Sequence, residues 1–410
     1  MALLAKGSQD RHLTSHPQMS FWKACFKRHT NFSSESIQVL LTGDTSFGGL
    51  CRAVLPRKGD LVTDIYLSVE LPAVSVTGPD PAVKWTNSLG HALIEYVEVA
   101  IGGEVIDRHT GEWLEIHSQL YMTDEKQKTY HNMIGNKGSL INEATELAPQ
   151  YLYIPLQFWF NKNDGVALPI AALQVHDVEI RIKLRRAEDL YVTFDADNVV
   201  TAGRLDSVSL FVNYIQLDSA ERKAFATKEH QYLIEQVQYG GQNDVGGARG
   251  TGFDISFNHP VKELFWMGQR EVALRTEVVM NSDGYPDYND YFNFSSSASP
   301  GAQLNMFDKF LIQLNGTDLL SEREANYFNL YVPWKHHTNA PEIGVYCYSF
   351  AREPERYQPT GTLNFSRLSS AFLKCTFNDA AVLPCVMRVY AVNYNILSFS
   401  CGQAALEYTM

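Results

Sequence analysis

The amino-acid sequence predicts an all-β chain folded as two tandem antiparallel sandwiches of about eight strands each. Three observations carry that prediction. Apolar and polar residues alternate along many short stretches, as in strands that bury one face and wet the other. Aromatic residues make up 12% of the chain, with 22 Phe and 21 Tyr, and flat rings pack well on pleated surfaces. A late segment, AVNYNILSFSCG at 391–402, echoes FVNYIQLDSAER at 211–222, so that Val212–Asn213–Tyr214 recurs as Val392–Asn393–Tyr394.

The elements follow in order. LVTDIYLSVEL sets Leu61, Ile65, Leu67, Val69 and Leu71 on one face and Asp64, Tyr66, Ser68 and Glu70 on the other. TGEWLEIHSQLYM carries Trp113, Ile116, His117 and Leu120 on one stripe and predicts a short helix near 110–122. YLYIPLQF aligns Leu152, Ile154, Leu156 and Phe158, and Pro155 marks an edge strand because it donates no ladder bond. VEIRIKL alternates Val178, Ile180, Ile182 and Leu184 with Glu179, Arg181 and Lys183, and FDISF repeats the pattern with Phe253, Ile255 and Phe257. SEREANYFNLY opens with Ser321 and Glu324 at capping-box spacing, which predicts a second helix near 321–331.

Matching features keep their order in both halves. YVEVAIGGEVID before the Trp113 helix resembles KFLIQLNGTDLL before the Tyr327 helix, and LPIAALQVHD resembles QPTGTLNFSR. A duplicated eight-stranded antiparallel sandwich with long connections is most simply two jelly rolls. Each helix is expected between the fourth and fifth strands of its roll. The charged stretch DSAERKAFATKEH lacks strand periodicity and marks the boundary. The expected organisation is an arm over residues 1–30, a first roll over 31–217, a linker over 218–229, and a second roll with a tail over 230–410.

The charge balance excludes one class of function. A net charge of −12 and a pI near 5.5 argue against direct nucleic-acid binding, which needs a basic surface. The arm is the local exception: Lys6, Arg11, Lys23, Lys27 and Arg28 face only Asp10. The six cysteines show no metal or disulfide spacing, so reduced thiols are expected. Lys6 interrupts the apolar run of MALLAKG, Ala2 stands where myristoylation needs glycine, and no stretch reaches membrane-span length.

No pattern selects a catalytic, cofactor or metal site. The glycines of YGGQNDVGGARGTG at 239–252 lack the GK[ST] ending of a phosphate loop and read as a turn between strands. His336–His337 and the His12/His16 pair have no accompanying ligand pattern. Asp283, Asp287 and Asp290 do not have calcium-loop spacing, and GxSxG and HExxH are absent. Of the triplets at Asn31, Asn293, Asn315 and Asn364, only Asn293 is expected in an accessible loop.

The residues of 85–120 (WTNSLGHALIEYVEVAIGGEVIDRHTGEWLEIHSQL), 229–238 (EHQYLIEQVQ), 259–266 (HPVKELFW), 353–367 (EPERYQPTGTLNFSR) and 389–402 (VYAVNYNILSFSCG) resemble the major capsid proteins of nucleocytoplasmic large DNA viruses. The resemblance spans nearly the whole chain and departs in the tail at Ser398, Phe399 and Cys401. It implies a double jelly roll, not an enzyme, that trimerises into pseudo-hexagonal capsomers of an icosahedral virion shell assembled in host cytoplasm. Neighbouring capsomers and minor capsid and penton proteins are the implied partners. A carbohydrate-binding or carbohydrate-cleaving jelly roll and an enzyme working in an inter-roll cleft are the competing readings.

Three surface expectations complete the reading. Trimer contacts should be apolar and aromatic at their centre. The arm, with Phe21, Trp22, Lys23, Phe26, Lys27 and Arg28, is expected on the inner side of the shell, against neighbouring capsomers, minor capsid proteins or the anionic surface of an internal membrane. The turn-rich segments 72–90 and 281–303 are expected on the outer face, the second with Tyr285, Tyr288 and Tyr291 available for contacts.

Overall fold

A computed structural model describes residues 2–246, 249–378 and 383–409. The first roll uses β1 (Phe32–Val39), β2 (Leu50–Val54), β3 (Leu61–Leu71), β4 (Ile94–Ile101), β5 (Glu104–Thr110), β6 (Gln150–Pro155), β7 (Val178–Leu184) and β8 (Ser207–Leu217). One sheet has the order β1-β8-β3-β6 and the other β2-β7-β4-β5, with the short strand Thr42–Gly43 beside β2. Apart from the β4–β5 hairpin, sequential strands thus land in opposite sheets, which is jelly-roll wiring. Pro155 ends β6 at the sheet edge, where its missing N–H costs no ladder bond.

The second roll repeats the order. Its strands are β9 (His230–Val245), β10 (Gly250–Asp254), β11 (Pro260–Arg270), β12 (Phe307–Leu314), β13 (Thr317–Asp318), β14 (Val345–Ser349), β15 (Ala371–Phe377) and β16 (Cys385–Ser400). They pair as β9-β16-β11-β14 and β10-β15-β12-β13. Every pairing among the described strands is antiparallel. The alternation seen in sequence is the burial pattern of β3, where Ile65, Leu67 and Val69 are buried while Asp64 is exposed and Tyr66 and Ser68 are half-buried.

The helices depart from expectation. α1 (Gly111–Tyr121) follows the fifth strand of its roll, not the fourth, because β4 and β5 are joined by the tight Gly102–Gly103 turn. α2 (Asp124–Ile134), unmarked in the sequence reading, buries only Tyr130 and Ile134 and stops at Gly135, which takes a φ of 86°. The expected linker contains α3 (Ser219–Thr227), where the Asp218 carboxylate accepts from the Ser219 N–H. The Ser321/Glu324 capping box does not form. Arg323–Glu324 instead pairs with β12, and the helical segment comes later, as a π-turn at Tyr327–Tyr331 running into α4 (Val332–His336). LPIAALQVHD forms a 3₁₀ turn at Ile170–Ala172, and QPTGTLNFSR the two-residue strand Leu363–Asn364 followed by a 3₁₀ turn at Phe365–Arg367. The glycine-rich turn at 239–252 includes residues 247 and 248, which lie outside the described residues.

Candidate assembly interface

The two rolls meet around α1, buried from Gly111 through Leu120. Thr110 starts the helix by accepting from the Trp113 N–H at 3.3 Å, and its hydroxyl lies 2.8 Å from the Tyr390 hydroxyl of the second roll. The helix enters so close to the helical turn Leu89–Leu93 and the start of β4 that a Cβ on Gly111 would collide with the carbonyl of His91 and come within 2.7 Å of that of Ile94. The Trp113 ring then sits edge-on to Phe265 at 5.4 Å and tilted against Tyr390 at 5.8 Å. Phe265 and Tyr390 are opposite each other on β11 and β16, so the indole rests on a cross-strand aromatic pair.

Charges flank this contact. Glu112 is 2.8 Å from Arg185 of the first roll and 3.6 Å from Arg388 of the second. Burial pushes its pKa up, but the two guanidiniums outweigh burial and hold it below the ordinary value. The Tyr121 hydroxyl donates to Glu263 at 2.7 Å, and Glu263 pairs with His337 at 3.1 Å. Burial pushes His337 down, yet Glu263 and Glu355 prevail and hold it up at about 12. Bonds between side chain and backbone close the joint: Val237 N–H donates to the Asp107 carboxylate at 3.0 Å, and the Gln236 side-chain amide donates to the Ile106 carbonyl.

The loop of the second roll at 281–303 also crosses to the first. The Tyr288 hydroxyl donates to the Thr193 carbonyl at 3.0 Å, and the Asn289 amide donates to the carbonyls of Glu188 and Tyr191. Tyr291 lies under the Arg185 guanidinium, 4.4 Å from its ring centre. Two of the three tyrosines expected as outward contacts are therefore unavailable: Tyr288 and Tyr291 are buried by these bonds, and Tyr285 alone is exposed. Asn293 is corrected as well. It is half-buried, its amide donates to Asp290 and the Ser297 carbonyl, and its oxygen accepts from Ser295, while Asn31, Asn315 and Asn364 are exposed.

The arm residues Phe21, Trp22, Lys23, Phe26, Lys27 and Arg28 are all exposed. His12 and His16 share that arm, whereas His337 is committed to its two glutamates. Among the described residues no cluster of three or more His, Cys, Asp or Glu is placed to hold a metal ion.

Two aromatic surfaces escaped the sequence reading. On the outward face of the β1-β8-β3-β6 sheet, Tyr66 stacks on Phe211 at 5.1 Å and meets Tyr153 at 6.3 Å. On the second roll, Leu330, Tyr331 and Trp334 stand exposed along the π-turn and α4, Trp334 at 73%. The signal for the first was in plain view, since Tyr66 falls on the polar face of an alternating strand beside Asp64 and Ser68.

Residues 20–218 match a family model described as the major capsid protein N-terminus, and residues 221–405 match one described as the large eukaryotic DNA virus major capsid protein. The major capsid protein of Phaeocystis pouchetii virus is 34% identical, the match covering 100% of this chain and 99% of that protein. That of Paramecium bursaria Chlorella virus 1 is 32% identical over 99% of this chain and 98% of its own length. Among solved structures, a chain of the PBCV-1 virus capsid quasi-atomic model is similar at a TM-score of 0.81 and 30% identity, covering 95% of this chain and 100% of that one.

Proposed function

The chain belongs to the family of large eukaryotic DNA virus major capsid proteins, and from that membership we propose that three copies form a pseudo-hexagonal capsomer tiling an icosahedral shell. The protein is a structural major capsid protein with the double jelly-roll fold. One observation carries the capsomer reading: the two rolls repeat the same strand order. A lattice position of sixfold surroundings needs six similar walls, and three two-roll chains supply them. Sizing the purified protein tests this. A stable particle of three 46.2 kDa chains is expected, and a folded monomer with no tendency to associate would overturn it.

Finer assignments rest on the same reading. The chain divides into the arm 1–30, a roll over 31–217, a connecting segment 218–229 and a roll over 230–410, a division supported by the two closed sets of strands. Its role is structural rather than catalytic, a reading supported by its similarity to capsid proteins along nearly the whole chain. Assembly takes place in host cytoplasm, consistent with the free buried thiols of Cys51, Cys347, Cys375 and Cys385. The arm touches neighbouring capsomers, minor capsid proteins or an anionic internal membrane surface, supported by its exposed aromatics and basic residues, and penton proteins are further partners of the shell. Deleting residues 1–28 should leave trimers intact and impair shell assembly; unimpaired assembly removes the arm from that role. Residues 72–90 and 281–303 face outward. Limited proteolysis of particles should cut first at the exposed stretches 282–285 and 300–304, and protection there with cutting in the arm reverses the orientation.

A further inference from the structure

We propose that the exposed Trp334 ridge of one chain docks on the Tyr66–Phe211 aromatic platform of the next copy, reproducing between chains the contact that Trp113 makes within one. This rests on the capsomer reading and specifies the surface that forms it.

The two rolls present corresponding parts in different states. In each, a helical segment lies in the connection between fifth and sixth strands and carries a tryptophan: Trp113 in α1, and Trp334 in α4 behind the π-turn Tyr327–Tyr331. In each, the third and eighth strands carry an opposed aromatic pair on the face turned away from the roll's own core: Phe265 with Tyr390 on β11 and β16, and Tyr66 with Phe211 on β3 and β8. Phe265 and Tyr390 pack with the first roll's core, while their neighbours Leu264, Trp266, Val389 and Ala391 pack in the second roll's own. The first roll's helix therefore plugs the second roll's pair.

What remains open is the complementary half of the same contact. Trp334 is 73% exposed where Trp113 is fully buried. The Tyr66–Phe211 stack is half-buried, extended by Tyr153 at 44% exposure, and borders a hollow of about 500 Å³ walled by Tyr66, Met133, Tyr153 and Asn161. Charge agrees with the pairing, since Lys335 follows Trp334 while Asp64 and Glu70 flank Tyr66 on its face. A plug at one end of the chain and a socket at the other make a head-to-tail contact, which closes into a ring when the rotation per subunit allows. The occupant is thus a second copy of this chain, and an indole on stacked aromatics is the kind of anchor that carries association.

The test combines variants with cross-linking on the full-length protein. Trp334→Asp and Tyr66→Asp should each weaken association by roughly 30-fold or more per contact, the scale of losing an interface anchor, giving folded monomers in sedimentation with unchanged circular dichroism. To separate loss of the contact from loss of the fold, a photo-reactive residue at Lys335 provides an independent measurement. In mixed isotope-labelled copies it should cross-link between chains to peptides of 61–71, 150–155 or 207–217. Cross-links to residues 1–30 make the arm the occupant and overturn the proposal. Trimers that persist in both variants, with cross-links elsewhere, also overturn it and leave the capsomer reading standing. A wild-type monomer defeats the capsomer reading itself.

Discussion

Glu112 holds the two rolls together through charge, so removing its carboxylate should cost far more than removing a surface ion pair. Its side chain is 1% exposed, and its partners Arg185 and Arg388 are 14% and 10% exposed. Glu112→Ala leaves two buried guanidiniums without their shared anion. Breaking a buried pair in this way costs about 3–5 kcal/mol, and with two cations stranded the upper half of that range is expected. For a chain of this length melting as one unit, that corresponds to a fall in Tm of roughly 5 °C. Urea unfolding at fixed subunit concentration is the assay, because association is linked to stability. A companion variant, Glu112→Leu with Arg185→Met and Arg388→Met, separates causes: replacing the whole triad by apolar groups should be near neutral. A loss below about 1 kcal/mol for Glu112→Ala would refute the reasoning, since that is the worth of an exposed pair. A triple variant as damaged as the single one would show that packing, not stranded charge, is responsible.

Two further outcomes follow from the same joint. For Glu112, Glu115 and Glu263, burial pushes each pKa up, but their partners prevail and each ends below the ordinary value of 4.5. Their contribution is complete above that value and is lost as pH falls through the folded pKa. His337, raised from 6.5 to about 12, contributes fully below 6.5 and loses its contribution as pH rises towards 12. Stability measured by urea titration should therefore gain most from these groups between about pH 4.5 and 6.5, and Glu263→Gln should flatten both limbs; an unchanged profile would exclude the pair as its source. Gly111→Ala should destabilise by several kcal/mol, roughly the scale of overpacking a rigid core, because the new methyl meets backbone carbonyls that cannot rotate away. A melting temperature within about 1 °C of wild type would mean that the segment carrying His91 and Ile94 shifts freely.

The fold was legible because its signals are local. Alternation in β3 and β7 follows from the pleat alone, and Pro155 announced an edge. The helices were less legible. The Ser321/Glu324 spacing pointed to a cap, yet pairing of Arg323–Glu324 with β12 took those residues first, and the π-turn after it has no sequence mark comparable to Pro333 in α4. The site was least legible because its partners are distant in sequence: nothing near Glu112 announces Arg388, and nothing near Tyr288 announces Thr193. The repeated Val-Asn-Tyr told of duplication, but not of orientation. Val212 lines the first roll's own core, whereas Val392 turns towards that same first roll from the second.

That difference of orientation bears on why one chain carries two rolls. Six identical rolls would need every wall contact to form by association, each opposed by lost translational and rotational freedom. Joining rolls in pairs makes half of those contacts intramolecular, at an effective concentration set by a short connection, here α3 and its flanks. The internal contact is built as a core: Trp113 is buried, Glu112 is neutralised on both sides, and the Val237 N–H bonds the Asp107 carboxylate beside them. The proposed external half has the character of a surface, an exposed indole with Lys335 beside it and a stacked pair rimmed by Asp64 and Glu70. A contact formed during folding tolerates buried charge, because its partners arrive together. One formed between finished subunits must first leave water, and it is built from aromatic rings that lose little by waiting there.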